Sequence, residues 1–235
     1  MRTLTAVIPC FNEEATLEML VGRVLAADCC GLAVEVVVVD DASRDRSFEI
    51  AQKLAKADSR VKVVRHDVNR GKGAAMRTGF ALASGDIVIV QDADLEYDPA
   101  EYPKLLQPIL DGGADIVYGS RFRGSESHRV LFFWHSVANR ILTLLSNMLT
   151  DLNLTDIETC YKVFRRDILR LVVLEEDRFG FDPEITAKIS RLEPKPRIYE
   201  VGIRYAGRTY EEGKKIGWRD GIRIVVSIVR YNLFR

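Results

Sequence analysis

Hydrophobic and polar positions come in blocks along the first half of the chain. Five short apolar runs read as strands buried on both faces: Leu4-Thr5-Ala6-Val7-Ile8, Val34 to Asp40, Val61 to Arg65, Ile87-Val88-Ile89-Val90 and Ile116 to Gly119. Helical spacing fills the gaps. One helix begins near Asn12-Glu13-Glu14, a second opens at Ser43-Arg44-Asp45 and runs to Lys56, a third covers Lys72 to Ala83, and a helical zone follows Asp98-Pro99 to Asp111. Asn12 is placed to cap the first, with two acids at its positive end. This rhythm predicts an α/β fold: a mainly parallel, doubly wound sheet with right-handed crossovers and helices on both faces.

The rhythm breaks after Arg123, where Gly124-Ser125-Glu126-Ser127 reads as a mobile loop. Two long amphipathic patterns follow. From Val130 to Thr150, the polar positions Ser136, Asn139, Arg140, Thr143, Ser146 and Asn147 recur every three or four residues. The wide apolar face of this pattern (Leu131, Phe132, Phe133, Trp134, Ile141, Leu144, Leu145, Met148) predicts a core-packed helix; the rival is a helix lying against lipid. From Trp218 to Phe234, Arg219, Arg223 and Arg230 fall on one side. Ile222, Val225, Val226, Val229 and Leu233 fall on the other. Such a helix either rests on an anionic membrane or caps the domain with a solvated basic face. The break divides the chain into residues 1–123 and 124–235, two halves of one compact domain.

Composition narrows the class. A hydrophobic content of 47% with 29% charged residues fits a globular protein. Thirty-four basic residues balance 34 acidic ones, which gives no bulk attraction to nucleic acid. The balance is uneven, however: from Gly202 onward eight basic residues oppose three acidic ones, a surplus of five that suits an anionic partner or surface. Cys10, Cys29, Cys30 and Cys160 lack zinc-site spacing, and the adjacent pair makes a poor disulfide, so a reducing cytosol is expected. The start leads directly into a strand with no signal-peptide pattern, and no run of about 18 apolar residues occurs.

Chemistry gathers at strand ends. The fourth strand runs into Gln91-Asp92-Ala93-Asp94, the first into Pro9-Cys10-Phe11-Asn12-Glu13, and the second into Asp40-Asp41-Ala42-Ser43. In a parallel sheet these ends share one edge, where open α/β sheets place ligands. Clustered acids need a cation or hydrogen-bond donors. Mg²⁺ is typically held by one or two carboxylates together with substrate phosphates, so the pattern points to a metal–diphosphate site. Asn69-Arg70-Gly71-Lys72-Gly73 opens a helix with amides suited to phosphate. It lacks the spacing of a P-loop, and Met76 stands at the third glycine of the dinucleotide fingerprint, so NAD chemistry is disfavoured. Asp182, ahead of Pro183, reads as an N-cap. His66, His128 and His135 form no ligand pattern.

Seven segments together resemble the family-2 glycosyltransferases with the A-type nucleotide-sugar fold, and within them the dolichyl- or polyprenyl-phosphate sugar synthases. They are Ile8 to Glu14, Val39 to Asp45, Asn69 to Ala75, Gln91 to Glu96, Gly119-Ser120-Arg121, Thr155-Asp156 to Arg165, and the Arg208 segment. The resemblance implies that Pro9, Phe11, Glu13, Asp40 and Asp41 bind the nucleoside of a UDP- or GDP-hexose, with Lys72 and Ala93 also on the donor. It implies that Asp92, Asp94 and Glu96 hold Mg²⁺ or Mn²⁺. Arg121 and Arg208, with Lys214 or Lys215, would contact phosphate groups, and Thr155 to Lys162 would line the acceptor side, with Cys160 at the usual glycine.

The implied reaction is inverting transfer of a hexose to a polyprenyl phosphate (dolichyl or undecaprenyl). It would occur at a cytoplasmic membrane face, through peripheral contact or a membrane-protein partner. A saccharide hydroxyl acceptor would need a base, with Asp156, Glu158 and Asp182 as candidates; an ionised lipid phosphate needs none. A sugar-phosphate nucleotidylyltransferase and a non-catalytic module are the remaining rivals. The first lacks a glycine-rich loop after strand one, and the second is hard to square with intact Asp92 and Asp94.

Overall fold

The computed structural model describes residues 1–124, 129–130, 132–208 and 218–234. Five strands coincide with the apolar runs: β1 (Thr3–Cys10), β2 (Ala33–Asp40), β3 (Val61–Arg65), β4 (Ile87–Val90) and β5 (Ile116–Ser120). Two more, β6 (Lys162–Arg165) and β7 (Ile198–Gly202), come from the second half of the chain. All seven form one sheet in the order β3-β2-β1-β4-β6-β5-β7, so the mixed α/β fold is mainly parallel. The exception is β6, which runs antiparallel to both β4 and β5. The expected succession from β4 to β5 is therefore interrupted by a strand inserted from later in the chain.

The helices are α1 (Leu17–Ala26), α2 (Ser47–Ala57), α3 (Lys72–Leu82), α4 (Tyr102–Leu110), α5 (Phe133–Thr150), α6 (Arg166–Leu169), α7 (Phe181–Ile189) and α8 (Trp218–Leu233). Alternation along β2 shows both faces covered, because successive side chains point to opposite sides. Val36 and Val38 join the main core with Leu17 and Leu20 of α1, whereas Val37 and Val39 pack with Ala75 of α3.

Helix starts depart from expectation at three places. Asn12 does not cap a helix; it takes a left-handed φ of 53°. The backbone N–H groups of Asn12, Glu13 and Glu14 donate to Ser43 Oγ, Ser47 Oγ and Asp45 Oδ2. Stitching the two strand ends together satisfies these amides and delays α1 to Leu17 and α2 to Ser47. Asp182 lies inside the first turn of α7, behind Gly180 at the cap.

The largest departure is α5. The residues it buries are Thr143, Ser146 and Thr150, while Phe133, Trp134, Ile141, Leu144 and Met148 are exposed. Leu142, Leu145 and Leu149 lie partly buried against the core. The core-packed reading therefore fails for the outer stripe, because the inward row is the polar one that hydrogen-bonds the 154–157 segment. Thr143 Oγ1 accepts from Ile157 N–H, and Asn147 bonds Leu154. α8 packs against α5 and α7. It buries Ile224, Ile228 and Tyr231, yet it leaves Ile222, Val226 and Leu233 exposed beside Arg223 and Arg230. The loop residues Ser125, Glu126 and Ser127, with Leu131, His128, Lys214 and Lys215, lie outside the described residues.

Candidate active site

Parallel strands deliver their carboxyl ends to one edge. Cys10 pairs with Asp40 across β1 and β2, and Val7 with Val90 across β1 and β4. β5 delivers Arg121 and β7 leads to Arg208 at the same edge. Antiparallel β6 contributes its leading end, residues 155–161.

Asp92 and Asp94 sit at the centre in contrasting states. Asp92 Oδ1 is 2.7 Å from Lys72 Nζ. Burial pushes the Asp92 carboxyl up, but Lys72 beside it brings the balance below its ordinary value. Among the described residues Asp94 has no such ion-pair partner. Burial, then the charges of Asp92 and Glu96, push it up to about 8, and Arg208 offsets this only in part. Two close carboxylates, one of them unneutralised, are a donor set that fits a divalent cation. Among the described residues no three His, Cys, Asp or Glu side chains form a ready-made cage.

Glu96, expected as a third metal ligand, has another task. Its Oε2 accepts from Tyr205 O–H (2.6 Å), its Oε1 from Arg208 N–H (2.8 Å), and its carbonyl from Ala206 N–H (3.0 Å). Both carboxylate oxygens thus tie down the segment after β7. This strap carries the Arg208 guanidinium to Glu13, 2.9 Å away, and Glu13 also accepts from Thr16 Oγ1. The carbonyl of buried Ala93, 2.9 Å from the same Thr16 hydroxyl, is the alternative acceptor for its single proton. A cavity of about 270 Å³ lies between strap and strand end, lined by Thr16, Leu95, Glu96, Arg129, Ala206 and Arg208.

At the neighbouring strand ends, half-buried Pro9 and Phe11 lead from β1 toward Glu13. Asp40 is fully buried; its Oδ2 meets Arg65 Nε (3.2 Å) and Ser43 N–H (3.2 Å), and its Oδ1 has no partner among the described residues. Asp41, expected to bind nucleoside with it, braces the chain instead. Its oxygens accept from Arg70 N–H (2.9 Å) and Gly71 N–H (2.7 Å) and meet His66 Nδ1 (2.7 Å). His66, set aside in the sequence, is therefore a buried support.

The glycine-rich turn is not an open phosphate cradle. Ala74 N–H donates to Asp177 O (3.0 Å), and a Cβ at Gly73 would stand 2.3 Å from Glu176 O. The glycines admit a neighbouring loop, and only Lys72 faces the acids.

At the leading end of β6, Arg121 grips Asp156 through Nε (2.7 Å), Nη2 (2.8 Å) and its backbone N–H (3.2 Å), and Asn139 Nδ2 of α5 adds a fourth bond (3.1 Å). Tyr205 stacks 5.2 Å from the guanidinium. Asp182 is held by the fully buried Lys162, which also donates to Thr159 O. Asp156 and Asp182, two of the expected candidate bases, are thus both held in ion pairs. Burial, then Asp182, push Glu158 up to about 8. Cys160, in place of the usual glycine, directs its buried Sγ at Asp92 N–H (3.1 Å). Asn139 and Tyr205 were not among the expected site residues; Lys162 was expected as the end of the acceptor stretch, without its Asp182 partner. The regular polar spacing on α5 marked Asn139.

The sequence profile described as "Glycosyl transferase family 2" matches residues 5–172. This chain belongs to glycosyl transferase family 2. Within the family it is 33% identical to an undecaprenyl-phosphate mannosyltransferase of Micrococcus luteus, over 99% of this chain and 95% of that protein. It is 33% identical to a dolichol-phosphate mannosyltransferase of Pyrococcus furiosus (91% of this chain, 60% of that protein). It is 34% identical to an undecaprenyl-phosphate 4-deoxy-4-formamido-L-arabinose transferase of Pseudomonas aeruginosa (90% and 60%). The chain thus spans about 60% of the length of several curated relatives. The fold matches glucosyl-3-phosphoglycerate synthase of Mycobacterium tuberculosis, solved with Mn²⁺ and UDP. That match has a TM-score of 0.75 at 21% identity and covers 100% of this chain and 80% of that one.

Proposed function

We propose that this chain transfers a hexose from a nucleoside-diphosphate sugar to a polyprenyl phosphate at a membrane surface, with inversion at the anomeric carbon. The observation that carries the reading is α5. Its inward row places Asn139 on Asp156 within the site, while its outward row exposes Phe133 (70%), Trp134 (76%) and Met148 (73%). One helix therefore joins the chemistry to an apolar surface, as a lipid-borne acceptor requires. Exposed Arg140 and Arg223 flank that surface with the charge that anionic lipid attracts. A hollow of about 350 Å³ against α5, lined in part by Phe122, Leu144 and Leu154, offers room for an isoprenoid chain. No helix among the described residues is long and apolar enough to cross a membrane. The names of the relatives point to the same acceptor class.

In this reading a phosphate oxygen of the acceptor attacks the anomeric carbon from the face opposite the diphosphate. The new C–O bond forms as the old one breaks, and its electron pair leaves on the nucleoside diphosphate. The attacking oxygen is already ionised, so no proton is removed. Asp92 and Asp94 would hold Mg²⁺ or Mn²⁺, which when bound neutralises charge on the leaving diphosphate. Arg208, parked on Glu13, is within reach of the same charge, and Asp40 Oδ1 is available to the base of the nucleoside. Lys72 fixes Asp92.

The test is transfer from a panel of labelled UDP- and GDP-sugars, with Mn²⁺ or Mg²⁺, to a short polyprenyl phosphate in detergent. A labelled lipid from one donor is the expected product. Donor hydrolysis with no lipid product from any sugar would reject the acceptor.

A further inference from the structure

Around the acceptor side of the site almost every charge has its match. Lys72 holds Asp92 at 2.7 Å, Arg121 holds Asp156 at 2.7 Å, and Lys162 holds Asp182 at 2.5 Å. Glu158 lies in the field of Arg121, Lys162, Asp156 and Asp182, yet it forms an ion pair with none of them among the described residues. Among the described residues its buried Oε1 has no hydrogen-bond partner, and neither has the Oγ1 of fully buried Thr159 beside it. Buried acceptors are seldom left unmade in a folded protein, so such an atom calls for a donor from a ligand.

Glu158 shares the 155–161 segment with Cys160, whose Sγ meets the Asp92 amide, and its charged neighbours are Asp182, Lys162, Arg121 and Asp156. A hydroxyl can give a hydrogen bond to an unpartnered carboxyl oxygen and can accept one from a protonated carboxyl, so the hydroxyls of a sugar suit this atom in either state.

We infer that Glu158 accepts hydrogen bonds from hydroxyl groups of the transferred sugar and thereby selects which hexose the donor carries. The inference rests on the nucleotide-sugar reading above and names its specificity contact. The Lys162–Asp182 pair and the Lys162–Thr159 bond hold the 155–160 segment, so that Glu158 meets the sugar at a set position.

The experiment is calorimetric binding, with Mn²⁺, of UDP, UDP-glucose, UDP-galactose, GDP and GDP-mannose to the full chain and to Glu158→Ala and Glu158→Gln. The preferred nucleoside diphosphate should bind all three proteins within about twofold. Its sugar derivative should bind Glu158→Ala roughly tenfold more weakly, with discrimination between epimeric sugars narrowed. Glu158→Gln, which keeps one acceptor oxygen, should lose less. Equal weakening of nucleotide and nucleotide sugar would assign Glu158 to structure and overturn the inference. Unchanged sugar-nucleotide affinity with slowed turnover would make it a base for a hydroxyl acceptor, and would overturn it too. A wild-type chain that binds no nucleoside diphosphate overturns the donor reading, and the inference with it.

Discussion

Among the described residues Asp94 and Glu158 are the two acids that burial and neighbouring charge push above their ordinary range. Glu158 is raised from an ordinary 4.5 to about 8 by burial and then by Asp182. The folded chain therefore keeps a proton on Glu158 at pH values where the unfolded chain has lost it. That advantage is full below about pH 4.5 and disappears as pH rises through 8. Glu158→Gln cannot ionise, so its Tm should equal that of the wild type near pH 4.5 and exceed it at pH 8.5; an equal difference at both pH values would contradict the assignment. Asp94, also near 8, puts metal and proton in competition. The rise in Tm on adding Mn²⁺ should grow between pH 6.5 and pH 8.5 in the wild type and vanish in Asp94→Ala. Asp94→Ala should also lose sugar transfer by at least about 100-fold while keeping its fold, read from far-ultraviolet circular dichroism. Retained turnover would remove Asp94 from the site. At this scale the sequence marked the acids but could not assign their partners. Glu96 and Asp41 were expected as ligands from the family resemblance; the strap and the glycine-rich turn that they hold come from elsewhere in the chain.

Helix α3 shows an element whose sequence signal was real but differently used. Gly71 and Gly73 resemble a phosphate turn because such turns also need a close backbone approach. Here the approaching backbone is the protein's own 176–177 segment. Helix propensity favours Ala over Gly by about 1 kcal/mol. A Cβ at Gly73 nevertheless meets a carbonyl oxygen at 2.3 Å, and overpacking costs roughly 1–3 kcal/mol. Gly73→Ala should therefore lower the stability read from urea unfolding, by a net of up to about 2 kcal/mol, instead of raising it. α5 carries the complementary lesson. Its period was legible, since residues three and four apart share a face. Which face turns inward was not, because the polar row finds hydrogen-bond partners in the 154–157 segment and the apolar row has no partner within the described chain.

At the scale of the molecule, one sheet edge collects groups separated by almost 200 residues, from Glu13 to Arg208, and the exposed faces of α5 and α8 adjoin it. Phe133 and Trp134 are largely exposed, so replacing both with Ser should leave Tm nearly unchanged. Co-sedimentation with vesicles containing phosphatidylglycerol should nevertheless fall roughly tenfold, because two large apolar side chains no longer enter the interface. Unaltered sedimentation would separate these helices from membrane contact. Five of the seven strands and the parallel arrangement of the first half were legible, because central strands are continuous apolar runs. β6 and β7 were not, being short and flanked by charge.

Local chemistry decides what a sequence can announce. The strand runs, the acids that end them, the glycine pair and the two amphipathic periods all follow from neighbouring residues, and each was determined by the sequence alone. The tertiary structure decided the pairing: that β6 enters antiparallel between β4 and β5, that Lys162 and Arg121 neutralise Asp182 and Asp156, and that Glu96 holds the strap after β7. Each of these depends on which distant segments share the buried, low-dielectric edge of the sheet, where a charge must find a counter-charge or a donor.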